Sequence, residues 1–181
     1  MNTEGDLYKS TSSSTTVFDR IIRYIDKKYK IRYNEISLEF EIKTEKTDWT
    51  ELNLNSLYIE LIQAGINITL GKLEILMRSH LILRYNPLQE YFENLPKWDG
   101  EEHIKKLSSF VKTTDDTFFQ KHFEKWITRT VLCALKTGYI NKQCLVLYNT
   151  EQNSGKTTFL RFLIPPSLEK YFIEDIGVDK D

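Results

Sequence analysis

Cysteine, histidine and long apolar runs are all scarce in this chain, and each scarcity removes a class of protein. Two cysteines, Cys133 and Cys144, without C-x-x-C spacing cannot supply a disulfide scaffold or a thiolate zinc site. Cys133 falls in a helical pattern and Cys144 in an apolar run, so both are expected as buried side chains in a reducing compartment. His80, His103 and His122 are scattered and give no metal-ligand spacing. No apolar run approaches the ~20 residues of a membrane span, and the amino terminus is polar rather than signal-like. A cytoplasmic chain with no membrane contact is expected. An excess of one charge is missing too. Lys and Arg total 25 against 26 Asp and Glu, so no global basic field advertises nucleic acid.

What is present is enough apolar and aromatic content, 40% and 13% of 181 residues, to bury a core. Residues 1–16 contain a Ser/Thr run without apolar periodicity and read as a disordered tail. Val17, Ile21, Ile22 and Ile25 recur at helical spacing and predict a helix to about Lys28. Ile31 and Tyr33, then Ile36, Leu38, Phe40 and Ile42, alternate as in a hairpin turning at Asn34-Glu35. Asn53 or Asn55 can cap a helix ending at Gly65, and Thr69 opens another. Asn86-Pro87 starts a further short helix, and residues 96–100 form a turn. An amphipathic helix with Ile104, Leu107, Phe110 and Val111 follows. A long helix then buries Phe119, Phe123, Trp126 and Ile127, and Gly138 closes it.

The most informative feature comes next. Cys144-Leu145-Val146-Leu147-Tyr148 reads as a buried strand, Thr157 to Leu163 as the opening of a helix, and Ser154-Gly155-Lys156-Thr157-Thr158 joins them. Strand, polar loop, Gly-Lys-Thr and helix form a phosphate-binding P-loop, in which unpaired loop and first-turn amides face an anion. The phosphate-binding residues are Thr150, Glu151, Gln152, Asn153, Ser154, Gly155, Lys156, Thr157 and Thr158. Lys156 would reach the β- and γ-phosphates of ATP, and the Thr157 hydroxyl would help hold Mg²⁺. The full motif has glycine where this chain has Thr150, and often at Asn153 as well. Asparagine tolerates left-handed dihedrals but threonine does not, so the loop must avoid that conformation at Thr150 or bear strain there. Pro165-Pro166 stops the helix, and residues 171–175 read as one short strand.

Asn86-Pro87-Leu88 through Tyr91, Leu95-Pro96, Trp98-Asp99-Gly100 and Gly155-Lys156-Thr157-Thr158-Phe159-Leu160-Arg161 together resemble the virulence-associated protein E family. Ile31-Arg32-Tyr33-Asn34, Glu41 and Leu54-Asn55-Ser56-Leu57 are similar to the amino-terminal region of primase-helicase proteins of phages and mobile elements. The resemblance implies a P-loop ATPase of the AAA+ or superfamily 3 helicase type, working on single-stranded or origin DNA and homo-oligomeric at full length. The expected architecture is α+β. It has a small amino-terminal domain with a β-hairpin (17–95), then a helical collar leading into an incomplete P-loop α/β unit (96–181).

Such an ATPase also needs an acidic strand and an arginine finger, and neither is legible before Asp181. Ile173-Glu174-Asp175 sits too close behind the P-loop helix to be that strand. The chain is therefore expected to bind ATP and Mg²⁺ without hydrolysing ATP alone, and no catalytic residue is assigned. A different class of function competes: a non-catalytic DNA-binding or assembly module with a vestigial P-loop. Arg20, Arg23, Lys27, Lys28, Lys30 and Arg32, beside Tyr24, Tyr29 and Tyr33, could contact phosphates and stack on bases. Core packing is the competing use of the tyrosines.

Overall fold

A computed structural model describes residues 15–151 and 153–174. The chain divides into two compact units, Met1–Tyr85 and Asn86–Asp181. Within the first, the order is α1 (Val17–Lys28), β1 (Lys30–Asn34), β2 (Glu39–Lys43), β3 (Thr50–Glu51), α2 (Leu54–Gln63), α3 (Leu70–Met77) and β4 (Leu83–Tyr85). The second holds α4 (Pro87–Glu93), α5 (His103–Ser108), α6 (Asp116–Leu135), α7 (Lys156–Phe162) and a 3-10 helix, Pro166–Tyr171. The protein is thus α+β, with a four-stranded mixed sheet and three helices in the first unit and helices alone among the described residues of the second.

Local chemistry sets the starts of these helices. Thr16 and Asp19 form a reciprocal capping box at α1. Asn53 Oδ1 accepts from the Ser56 amide, Thr69 Oγ1 from Lys72, Asn86 Oδ1 from Leu88 and Gln89, and Asp115 Oδ1 from Phe118. Helix α2 ends in a Schellman motif. The Ile66 amide donates to Leu61 O and the Gly65 amide to Ile62 O, with Gly65 at φ +75°.

The sheet order is β3-β2-β1-β4. β1 and β2 are antiparallel, with Ile31 opposite Ile42, Arg32 opposite Glu41 and Tyr33 opposite Phe40. β4 joins β1 in parallel, which needs the crossover that α2 and α3 supply. Ile31, Tyr33 and Phe40 face a core of Ile21, Ile25, Leu57, Leu61, Ile66, Ile68, Leu73, Leu76, Met77 and Ile82. Period-2 alternation puts Arg32 and Glu41 on the opposite face.

Several sequence expectations are corrected. Ile36 and Leu38 lie in the hairpin turn rather than on a strand. Asn34 Oδ1 accepts from the Ile36 and Ser37 amides and ends β1 there, and Leu38 takes φ +61°. Helix α5 stops at Ser108, leaving Phe110 72% exposed. Residues 144–148 form no strand, and Val146 and Tyr148 are 75% and 85% exposed. A strand needs a neighbour for its N–H and C=O groups, and the second unit has no strand among its described residues. The α/β unit expected there keeps its loop and helix without the sheet. Cys133 and Cys144 are exposed, not buried. Tyr171 closes the 3-10 helix and residues 172–174 belong to no element, so the short strand expected over 171–175 is absent as far as Glu174. Asp175 lies outside the described residues, as does the expected tail up to residue 14, while Thr16, expected in that tail, is ordered as the cap of α1.

Candidate phosphate-binding loop

One side-chain-to-backbone bond and two left-handed dihedrals shape the described residues of the loop, 149–151 and 153–155. Asn149 Oδ1 accepts from the Glu151 amide at 2.9 Å, starting the turn. Asn153 follows at φ +60° and Gly155 at φ +80°. Thr150 is not among the positive-φ residues, so the loop avoids the strain a β-branched side chain would suffer there. Asn153, the second position where the motif often has glycine, takes the left-handed dihedral that asparagine tolerates. Nothing within 4 Å would meet a Cβ at Gly155, so glycine is needed for its dihedral and not for space.

Helix α7 begins at Lys156, and its ammonium curls back over the loop. Lys156 Nζ donates to Ser154 Oγ at 2.9 Å and, more weakly, to Glu151 O at 3.4 Å. Lys156 is half-buried, whereas Thr157 and Thr158 are exposed. Gln152 lies outside the described residues. The helix is anchored from behind: Phe159 meets Phe123 of α6 at 5.9 Å between ring centroids. Phe123 is fully buried and also touches Phe119 and Trp126. Arg161 is bound by Glu174, whose carboxyl the Arg161 hydrogen bond holds below the usual range.

The structure also places the basic and tyrosine-rich stretch of the first unit. Tyr24, Lys28 and Tyr29 all donate to Glu60, at 2.7 to 2.9 Å. Burial pushes the Tyr29 hydroxyl up, aided by its bond to Glu60. The same carboxylate raises the pKa of Lys28. Arg20 donates to Gly65 O, and Tyr33 packs on Phe40. Arg32 is buried, bonded to Glu41 at 2.6 Å and stacked between Trp49 and Tyr85. The three tyrosines pack against the core, while Lys27 and Lys30 stay exposed.

One feature escapes a reading of the sequence. His103 Nε2 lies 2.9 Å from both Asp99 oxygens, and Trp98 Nε1 donates to Glu101 O. Together they close the Trp98-Asp99-Gly100 turn. Asp99 is held below the usual carboxylate range, first by the Glu101 amide and then by His103. The available signal is an acid and a histidine four residues apart across that turn. Beside it, between α5 and the start of α6, runs a groove of about 510 Å³. It contains no residue of the lysine loop. No cluster of three or more His, Cys, Asp or Glu suited to a metal occurs among the described residues. No helix there is long and apolar enough to cross a membrane.

Fold and loop define an α+β protein whose helical second unit presents a lysine-bearing turn at the head of a short helix. Residues 92–181 match the family model of the virulence-associated protein E-like domain, so that stretch of the chain is a virulence-associated protein E-like domain. The match spans the Trp98-Asp99-Gly100 turn, α6 and the lysine loop. No curated protein and no solved structure matches the chain.

Proposed function

We propose that residues 150–158 bind a nucleoside triphosphate with Mg²⁺, ATP foremost. The chain is then the ATP-binding portion of a virulence-associated protein E-like DNA helicase of a mobile element. The observation that carries this reading is the Lys156 ammonium, held over the turn by Ser154 Oγ and Glu151 O. An ammonium gathered onto loop oxygens is placed to exchange them for phosphate oxygens, which carry more charge. The residues fit the ligand: Asn153 and Gly155 give the turn its left-handed steps, and Thr157 offers an exposed hydroxyl for the metal. Bound Mg²⁺ would neutralise charge between the β- and γ-phosphates. The proposed activity of this chain by itself is binding, and Glu174, the acidic residue behind α7, is committed to Arg161.

Titration of the full chain with a fluorescent ATP analogue and Mg²⁺ tests the reading. Lys156→Ala should weaken binding at least tenfold, the scale of about 1.5–3 kcal/mol for a hydrogen bond to a charged group. Equal binding by both proteins, or none by the wild type, overturns it. The competing DNA-binding reading draws on the basic stretch from Arg20 to Arg32 in α1 and β1, but Arg20, Lys28 and Arg32 are engaged inside the first unit.

A further inference from the structure

This inference rests on the nucleotide reading and concerns how the loop controls its own lysine. The ammonium of Lys156 has three N–H donors and no acceptor. Ser154 Oγ takes one at 2.9 Å, and Glu151 O, at the weak end of hydrogen bonding, takes another at 3.4 Å. Ser154 is the only one of these two acceptors that a side-chain substitution deletes. We infer that Ser154 regulates the loop. Its hydroxyl caps Lys156 internally, and a Mg²⁺-bound triphosphate must win the amine from it.

The consequence is a competition, not a simple gain of contacts. Apparent affinity falls by the fraction of molecules whose lysine is already satisfied. Removing the hydroxyl therefore tightens triphosphate binding, the opposite of what a phosphate-contacting serine would do. Ser154 is exposed, so water replaces part of the lost bond. The expected gain is about three- to tenfold, below what a fully buried charge-assisted bond would give.

Two readouts on the full chain separate this inference from the nucleotide reading. The first needs no nucleotide: the rate of Lys156 acetylation by acetic anhydride, read by mass spectrometry against exposed Lys27. Ser154→Ala should raise it about threefold, and Ser154→Thr, which keeps a hydroxyl, should restore the wild-type rate. An unchanged rate in Ser154→Ala overturns the inference and leaves nucleotide binding standing. The second is titration with the fluorescent ATP analogue and Mg²⁺, where Ser154→Ala should bind tighter. Faster acetylation with weaker binding means that the hydroxyl serves the phosphate, and the inference fails. No binding by either protein overturns the nucleotide reading and this inference together.

Discussion

Arg32 shows how one residue can be legible in type and illegible in use. In sequence it belongs to a basic stretch. In the structure it is 9% exposed, bonded through Nε to Glu41, and stacked on Trp49 at 3.9 Å and Tyr85 at 3.4 Å. Asn34, fully buried, donates to the other Glu41 oxygen at 2.9 Å. Taking two charges out of water is tolerable only because each is met by the other and by further hydrogen bonds. Glu41→Ala should therefore cost about 3–5 kcal/mol in chemical denaturation, since it strands a buried guanidinium. Replacing both partners with apolar residues, Arg32→Met with Glu41→Leu, should recover most of that loss. A double variant as unstable as the single one would show that the pair itself, and not the stranded charge, holds the sheet. Nothing in the order of residues reveals this pairing, because it depends on the register that sets Arg32 opposite Glu41.

At the scale of elements, legibility follows local chemistry. The caps at Asn53, Thr69 and Asn86 lie where side-chain chemistry puts them, because a cap needs only its own next three residues, whereas Thr16, at the edge of a Ser/Thr run, reads as tail until Asp19 is seen to close its capping box. β3 and β4 span two and three residues, too short for any period to register. The run at 144–148 is the converse case. Its composition says strand, but pairing is not local, and apolar content alone cannot supply the missing neighbour. The lysine loop is readable as a motif. Its left-handed step at Asn153 is legible from the residue type, whereas the ordinary φ at Thr150 is a property of the backbone that residue types alone do not decide. Gly65 gives this scale its prediction. A Cβ added there would meet no atom within 4 Å, so the penalty for Gly65→Ala is conformational and not steric. Thermal unfolding should show a loss of about 1–2 kcal/mol from the left-handed dihedral alone. A loss below a few tenths would mean that α2 can end in another way.

For the whole molecule, the carboxylates set the response to acid. In the first unit, burial of Glu60 pulls its pKa up. Hydrogen bonds from Lys28, Tyr24 and Tyr29 pull harder the other way, and it ends below the ordinary 4.5. Asp19, bonded to Thr16, is lowered too. In the second unit Asp99, Asp116 and Glu174 are all lowered by hydrogen bonds. A carboxylate with a depressed folded-state pKa stabilises fully above its unfolded value, and the contribution is lost as pH falls through the folded one. Both units should therefore hold their stability from neutral pH down to about 4.5 and lose it progressively below. Glu60→Gln should lower neutral-pH stability and flatten the acid loss of the first unit. An acid profile identical to the wild type would remove Glu60 from this account.

Trp49, lying over the Arg32 guanidinium, belongs to the first unit, while Trp98 and Trp126 belong to the second. Exchanging the latter two for phenylalanine leaves a single indole emitter seated on the concealed ion pair. Its emission then dates the moment water reaches that pair, so the first unit can be watched melting on its own clock.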